Sequence, residues 1–208
     1  MIVLHHLNYS RSFRVLWLLE ELGLDYKLVK YERNAQFRAP PELAKIHPLG
    51  KAPVIEDGDL ILAESAVILN YINDSYAAGR MAPPKGDKAH ILHEEWLQYV
   101  ESSAAFPIMM TLIGGMTGGL SDGLAAFAEP GVAKTLDYIA SGIGAGPFIM
   151  GEQFTLADIQ FSYVLVMAAH AGLLQGRQPI LDYLTRLAAR PAYAKAVEIG
   201  GPMAPPKR

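Results

Sequence analysis

The chain has 208 residues, 51% of them hydrophobic and 19% charged, which is typical of a globular protein and not of a disordered one. Its formal net charge of −3 argues against nucleic acid or an acidic membrane surface as a partner. The chain has no cysteine, which excludes disulfide bonds and catalysis by a thiolate of the protein itself.

The N-terminal segment and two uncharged stretches bear on location. The first residues, Met-Ile-Val-Leu-His-His, lack a basic segment followed by an apolar one, so we predict no signal peptide. Residues 102–121 and 159–176 are long and uncharged, but they contain polar residues, and the first also contains proline and glycine. We interpret both as buried core helices rather than membrane spans. We therefore expect a soluble, cytoplasmic protein with no membrane partner.

The N-terminal part of the chain predicts alternating strands and helices. Residues 2–7 are apolar and predict a strand. A helix follows, because Val15, Leu18, Leu19 and Leu22 have the spacing of one helical face, and Gly23 is placed to end it. Residues 25–31 predict a second strand, parallel to the first because a helix connects the two. A short helix is predicted at 41–46.

A hairpin and a helix complete this part of the chain. Asp57-Gly58 separates two apolar runs, 52–55 and 60–63, and an Asp-Gly pair in this setting is a strong signal for a two-residue hairpin turn. A helix is predicted from Ser65 to about residue 76. Ser65 therefore lies at a helix N-terminus, where free N–H groups attract an anion.

The remaining chain predicts helices only. We assign residues 1–78 to the first domain, 79–87 to a linker, and 88–208 to a helical domain. The helices are predicted at 89–113 with an interruption near Pro107, at 124–141 with a disturbance at Pro130, from 155, near 180–189 and at 191–197. Thr155 and Asp158 have the spacing of a capping box at the start of one of them, a structural role.

Residues 47–53, His-Pro-Leu-Gly-Lys-Ala-Pro, and the later Glu64-Ser65 resemble the glutathione-binding half of the glutathione S-transferase family. The family pattern is Asn-Pro-x-Gly-x-Val-Pro, then a hairpin, then Glu-Ser opening a helix. His47 replaces the asparagine and Ala52 the valine. The resemblance covers essentially the whole chain. It implies a thioredoxin-like N-terminal domain of order βαβ-α-ββ-α, followed by an all-helical C-terminal domain.

The resemblance also implies a set of glutathione-binding residues. Ala52, before a cis-Pro53, offers its N–H and C=O to the cysteinyl part of glutathione, although Pro53 alone could be an ordinary edge-strand proline. Glu64 and Ser65 hold the γ-glutamyl end, the alternative being simple capping of the helix. Lys51 or Arg38 reaches the glycyl carboxylate, although loop arginines are usually only solvated.

The turn after the first strand carries the candidate catalytic group. A hydroxyl donor beside a helix N-terminus can lower the pKa of a thiol, which is about 8.5 in a free cysteine. Ser10 and Ser12 precede the helix, with Arg11 and Arg14 in or beside its first turn. On these residues alone, a solvated capping serine with surface arginines is an equally good interpretation.

The resemblance to serine-type transferases, in which Ser-x-x-x-Arg opens the first helix, favours Ser10 with Arg14. On that match, Ser10 donates a hydrogen bond to the glutathione sulfur. In the tyrosine type, the tyrosine lies earlier, at the position of His5. Tyr9 remains a rival to Ser10, and so does Ser12, for which we expect a helix-capping role.

The function that the resemblance implies is conjugation of glutathione with small hydrophobic electrophiles in detoxification. Glutathione-dependent reduction of peroxides or disulfides is a related possibility. Glutathione is the expected co-substrate, no metal is expected, and a homodimer is expected. A non-catalytic protein that binds ligands or partners on the same fold is the alternative. His90 and His93, at i and i+3 without a third ligand, are a poor metal signal.

Overall fold

The structure, a computed structural model, describes residues 1–206, which divide into two compact units. The first unit contains residues 1–81 and 189–206, and the second contains residues 82–188. The sequence analysis assigned residues 88–208 to the helical domain, whereas the structure groups residues 189–206 with the first unit.

The first unit is built on a four-stranded sheet with the strand order β2-β1-β3-β4. Strand β1 is parallel to β2 and antiparallel to β3, which is antiparallel to β4. The elements before the linker are β1 (Ile2–Leu7), α1 (Ser12–Leu22), β2 (Tyr26–Tyr31), α2 (Glu42–Ile46), β3 (Val54–Asp57), β4 (Leu60–Ala63) and α3 (Ser65–Ala77). This order and connectivity confirm the predicted thioredoxin-like arrangement.

Local signals in the sequence account for most of these boundaries. Helix α1 ends at Gly23, which has the left-handed backbone (φ 64°) of a helix C-terminus. The hairpin turns at Asp57 and Gly58, as predicted. Strand β3 begins at Val54 and not at Ala52. Ala52 and Pro53 therefore lie outside the strand, because proline has no N–H to donate to a neighbouring strand.

The last helix of the chain, α9 (Pro191–Gly200), packs against α1. The ring of Tyr193 lies 5.2 Å from the ring of Phe13 and 5.0 Å from that of Trp17. The guanidinium of Arg190 donates two hydrogen bonds to the carboxylate of Glu21, at 2.6 and 2.8 Å. These aromatic and charged contacts with α1 explain why the C-terminal segment belongs to the first unit.

The second unit is helical. Its helices are α4 (Lys88–Tyr99), α5 (Ala105–Met116), α6 (Asp122–Ile143), α7 (Leu156–His170) and α8 (Gln178–Ala188). The break predicted near Pro107 lies earlier, at a π-helical turn formed by Val100–Ala104. That turn shifts the register of backbone hydrogen bonds just ahead of Pro107, whose nitrogen cannot donate. Pro130 lies inside α6, which continues through it.

Helix α7 is buried along most of its length, and its start is closed by its own residues. The Asp158 carboxylate accepts hydrogen bonds from the Thr155 N–H at 2.7 Å, the Ile149 N–H at 2.9 Å and the Tyr183 hydroxyl at 2.7 Å. The predicted capping box is confirmed. Asp158 also accepts hydrogen bonds from outside the box, from Ile149 in the preceding loop and from Tyr183 in α8. Within residues 1–206, no helix is both long enough and apolar enough to cross a membrane.

Candidate functional site

Three short segments with predicted site residues meet at one end of the sheet. In the antiparallel pairing of β1 with β3, His5 lies opposite Val54, so the end of β1 is next to the start of β3. Val54 also lies opposite Ala63, the last residue of β4. The turn that follows β1, the Ala52–Pro53 bond before β3 and the start of α3 after β4 therefore share this end of the sheet. We call these three segments the sheet-end site.

Ser10 lies in the turn between β1 and α1 and is 5% exposed. Its hydroxyl oxygen accepts a hydrogen bond from the Ser12 N–H at 3.2 Å and lies 2.7 Å from the Ser12 hydroxyl oxygen. Its carbonyl oxygen accepts a hydrogen bond from the Phe13 N–H at 3.2 Å. These bonds fix the position of the Ser10 side chain at the start of α1.

Ser12 does not have the helix-capping role expected from the sequence. It is the first residue of α1, the N-cap residue is Arg11, and the Ser12 hydroxyl is directed back to β1. There, its oxygen accepts a hydrogen bond from the Leu7 N–H at 3.1 Å and lies 3.0 Å from Nδ1 of His6. The reason for the difference is burial: Ser12 is fully buried, and its hydroxyl is enclosed by strand residues.

Tyr9, the second rival, belongs to a different local cluster. Its backbone has φ 51°, and its carbonyl oxygen accepts a hydrogen bond from the Arg33 guanidinium at 3.1 Å. Its ring stacks on that of Phe37 with centroids 6.2 Å apart, and the Arg33 guanidinium lies 4.6 Å from the centroid of Phe37. Arg33 thus holds a turn residue in the left-handed region, which is uncommon outside glycine.

The two arginines of the predicted serine-arginine pattern differ in exposure. Arg14 is fully buried in the first turn of α1, whereas Arg11 is partly exposed. A buried guanidinium keeps its charge, because the pKa of arginine is above about 12. Arg14 therefore places a permanent positive charge close in sequence to Ser10, at the N-terminus of α1.

The peptide bond between Ala52 and Pro53 is cis, as the resemblance implied. Pro53 is buried, Ala52 is half-buried and Lys51 is exposed. Arg38 is also exposed, in the loop after β2, where its N–H donates to the Asn34 side chain at 2.9 Å. The charged groups of Lys51 and Arg38 are therefore open to a ligand in solution.

The start of α3 differs from an ordinary capped helix. Its N-cap residue, Glu64, is exposed and has φ 70°, and within residues 1–206 its side chain makes no capping hydrogen bond. Ser65, the first residue of the helix, is 4% exposed, and the first turn contains no acidic residue. The first N–H groups of a helix have no partners within the helix, and they favour negative charge. This helix start suits the carboxylate of a ligand.

The sequence prediction missed His6 and Gly200. His6 is buried behind the two serines, with Nε2 2.9 Å from the carbonyl oxygen of Gly200 in α9. The alternation of β1 places His6 on the same face as Leu4, which was the available signal. Nothing near His6 in sequence indicates Gly200, 194 residues later. In the described part of the chain, no group of three or more His, Cys, Asp or Glu side chains is arranged to hold a metal ion.

The first 74 residues match the family model of the glutathione S-transferase N-terminal domain. Over 199 aligned residues, the chain is 34% identical to glutathione S-transferase 1 of Saccharomyces cerevisiae, with 81% of each chain covered. It is 31% identical to glutathione S-transferase 3 of Schizosaccharomyces pombe, with 95% of this chain and 87% of that protein covered.

A solved structure gives the same result. The chain is similar to a glutathione S-transferase from Actinobacillus pleuropneumoniae, with a TM-score of 0.88 and 35% identity. The alignment covers 96% of this chain and 93% of that one. Sequence identity above 30% to several relatives over most of both chains, together with the shared fold, leads to one conclusion. The chain belongs to the glutathione S-transferase family.

Proposed function

We propose that this glutathione S-transferase activates the thiol of glutathione with Ser10 and transfers the thiolate to a small hydrophobic electrophile. The observation that carries the proposal is the sheet-end site. A buried hydroxyl at a helix start, a cis-proline directly before the inner strand β3, and a helix start with no acidic residue in its first turn lie at the same end of one sheet.

In this proposal, the start of α3 binds the γ-glutamyl end of glutathione. The carboxylate is held by Ser65 and the free N–H groups of the helix, and Glu64 pairs with the amino group. Ala52 forms strand-like hydrogen bonds with the cysteinyl part of glutathione through its backbone. Lys51 or Arg38, both exposed, pairs with the glycyl carboxylate.

Ser10 is favoured over its rivals by the surroundings of each hydroxyl. The Ser12 hydroxyl is fully buried among groups of β1, and the Tyr9 ring is stacked on Phe37 in the neighbouring cluster. The Ser10 oxygen is fixed by the Ser12 N–H and is the outer member of the serine pair. A hydrogen bond from Ser10, with the Arg14 charge and the helix N-terminus, lowers the thiol pKa by about one to two units. Each unit corresponds to about 1.4 kcal/mol.

The remaining parts of the proposal rest on family membership. The second substrate is a hydrophobic electrophile or a peroxide, consistent with a role in detoxification, and glutathione is the only co-substrate proposed. The protein acts in the cytoplasm as a homodimer. Light scattering of the purified protein tests the homodimer, because a measured mass equal to that of one chain would contradict it.

The test compares Ser10→Ala, Tyr9→Phe and the parent protein, with glutathione and a halonitroarene as substrates. We expect Ser10→Ala to lower kcat/KM at neutral pH about 10- to 100-fold, because the bound thiol is then less ionised. Tyr9→Phe is expected to retain activity within about threefold.

Full activity in Ser10→Ala, or loss in Tyr9→Phe alone, would overturn the role given to Ser10. Glutathione binding by the parent protein without turnover of electrophiles, peroxides or disulfides would replace the enzyme with the non-catalytic alternative.

A further inference from the structure

Both ring nitrogens of the buried His6 lie within hydrogen-bonding distance of a partner. Nε2 lies 2.9 Å from the carbonyl oxygen of Gly200, and Nδ1 lies 3.0 Å from the hydroxyl oxygen of Ser12. Because a carbonyl oxygen can only accept, Nε2 carries a hydrogen and donates it to Gly200. In a neutral ring, Nδ1 then has no hydrogen and must accept.

His6 is neutral in the free protein near neutral pH. Burial lowers the pKa of His6 below 6.5, and the hydrogen bond with Gly200 only partly opposes this effect. Two charged side chains act on the ring in opposite directions: Lys30 lowers its pKa and Glu32 raises it. Nδ1 is therefore an acceptor. Two acceptors lie within reach of the single Ser12 hydrogen: Nδ1 of His6 at 3.0 Å and the carbonyl oxygen of Leu7 at 3.2 Å. We assign the hydrogen to Nδ1, which is nearer and would otherwise be buried without a donor.

The direction of the next hydrogen bond follows from this assignment. A serine hydroxyl has one hydrogen and two lone pairs. Ser12 donates its hydrogen to His6 and accepts one from the Leu7 N–H, so its remaining lone pair faces the Ser10 oxygen, 2.7 Å away. Ser10 consequently donates to Ser12. In the free protein, three groups form a chain of hydrogen bonds that runs inward from Ser10 through Ser12 to His6.

We propose that this chain reverses when glutathione binds, so that His6 takes up the thiol proton through the two serines. The inference rests on the proposed role of Ser10. The proton on sulfur moves to the Ser10 oxygen, the Ser10 proton moves to the Ser12 oxygen, and the Ser12 proton moves to Nδ1 of His6. The electron pair of the S–H bond stays on sulfur, and the imidazole lone pair binds the proton. One proton is transferred in total, and nothing is oxidised or reduced.

The reversed chain has the bonding that the thiolate requires. Ser10 then donates to sulfur, Ser12 donates to Ser10, and the imidazolium of His6 donates to both Ser12 and Gly200. While the thiolate is present, its negative charge favours the protonated form of the His6 ring. Once the electrophile has consumed the thiolate, burial favours the neutral ring. The proton then leaves by the same route, from Nδ1 to the Ser12 oxygen, from Ser12 to the Ser10 oxygen, and from Ser10 to water or to the leaving group of the electrophile, which returns the chain to its inward direction. His6 and Ser12 do not touch glutathione, so they are positioning residues.

The direct test uses the unmodified protein, labelled with ¹⁵N in its histidines and observed by NMR. On addition of glutathione, we expect the Nδ1 signal of His6 to move from the unprotonated to the protonated range. S-Methylglutathione, which has no thiol proton, should leave it unprotonated. An unprotonated Nδ1 with both ligands would overturn the proposal. His5, buried in the same strand and bonded to Tyr31 and Glu56, serves as the internal control.

The second test compares His6→Asn with His5→Asn. Asparagine can accept from Ser12 but cannot take up a proton. We expect His6→Asn to raise the pKa of the bound thiol by about one unit. At pH values below that pKa, kcat should fall about tenfold. His5→Asn should leave both quantities at their parent values. A merely structural role would change stability or KM and leave the thiol pKa at its parent value, which would overturn the proposal.

The Ser10→Ala variant separates this inference from the proposed function. If Ser10→Ala raises the thiol pKa and His6→Asn does not, the proton chain is wrong and the role of Ser10 stands. If Ser10→Ala leaves the thiol pKa unchanged, the role of Ser10 is wrong and the chain is wrong with it. Should His6→Asn fail to fold, the NMR result on the unmodified protein decides.

Discussion

Helices α3 and α7 belong to different units, and their N-termini are completed in different ways. The start of α7 contains its own acceptor, because the Asp158 side chain accepts hydrogen bonds from two backbone N–H groups and from the Tyr183 hydroxyl. The start of α3 has no acidic residue in its first turn, and within the described chain Glu64 makes no side-chain cap. The N-terminus of α7, which is capped by its own residues, has a structural role. The N-terminus of α3, which has no such cap, can bind a carboxylate of a ligand.

The buried histidines of the two units show the same contrast. Both ring nitrogens of His6 have hydrogen-bond partners at the sheet-end site. Neither ring nitrogen of His93 in α4 has one among residues 1–206, and the Glu94 oxygen, 3.7 Å from Nδ1, is too distant. A histidine with a hydroxyl partner can exchange a proton with it, whereas one without partners only makes the fold sensitive to acid. Four substitutions test these contrasts.

The largest effect is expected from Asp158→Ala, which opens the closed helix start. It leaves the buried N–H groups of Ile149 and Thr155 and the Tyr183 hydroxyl without their acceptor, so we expect the free energy of unfolding to fall by about 4 kcal/mol. Urea unfolding measures it. Asp158→Asn, which retains one acceptor oxygen, should lose about half as much. A loss below about 1 kcal/mol in the alanine variant would show that this helix start is not closed by Asp158.

The next effect concerns acid and His93. Burial, with a smaller contribution from His90, lowers the pKa of His93 from 6.5 to about 4. Between these values the unfolded chain binds more protons than the folded one, so the free energy of unfolding falls as the pH falls. The loss of unfolding free energy approaches about 3 kcal/mol when the pH reaches the pKa of His93 in the folded protein, about 4. We expect His93→Leu to remove this part of the pH dependence in urea unfolding. An unchanged slope in that variant would show that His93 is not its source.

Ser65→Ala tests the open helix start. Loss of a hydrogen bond to a charged group costs about 1.5–3 kcal/mol, so we expect glutathione affinity to fall about 10- to 100-fold in calorimetric titration. Stability should change by less than about 1 kcal/mol. Ser75→Ala, an exposed serine of the same helix, is the matched control and should bind glutathione as the parent does. Equal affinity in both variants would mean that α3 does not bind the ligand through Ser65.

Gly200→Ala tests the contact between α9 and His6 with the smallest expected effect. A Cβ at Gly200 would lie 2.5 Å from Cδ2 of Leu16 and 3.0 Å from Nε2 of His6. We expect a loss of about 1.5 kcal/mol in thermal or urea unfolding, because this overpacks a buried contact. Gly123→Ala in α6, where a Cβ meets nothing within 4 Å, is the control and should be neutral or slightly stabilising. Equal stability in the two variants would contradict the close contact.

Local signals in the sequence were sufficient for several elements of both units. The spacing of Val15, Leu18 and Leu22 gave α1, the Asp57-Gly58 pair gave the hairpin, and the box at Thr155 gave the start of α7. Each depends on residues only a few positions apart. The helix start at Ser65 and its preference for an anion also followed from the sequence. The family pattern at Glu64-Ser65 added the ligand group that is expected to bind there.

The differences between the predicted and the observed structure have three separate physical causes. The return of α9 to α1 depends on Tyr193 meeting Phe13 and Trp17, about which the local pattern contains no information. Ser12 was expected to cap a helix because serines often do, but burial against β1 directs its hydroxyl to His6. The π-helical turn before Pro107 leaves no recognisable sequence signal, because only the position of the proline was visible.

A crystal structure of the protein with bound glutathione tests the central claim most directly. It should show the γ-glutamyl carboxylate on the first N–H groups of α3 and the Ser65 hydroxyl, with the sulfur within hydrogen-bonding distance of the Ser10 oxygen. Sulfur bonded instead to the Tyr9 hydroxyl, or a carboxylate bound away from Ser65, would contradict the account.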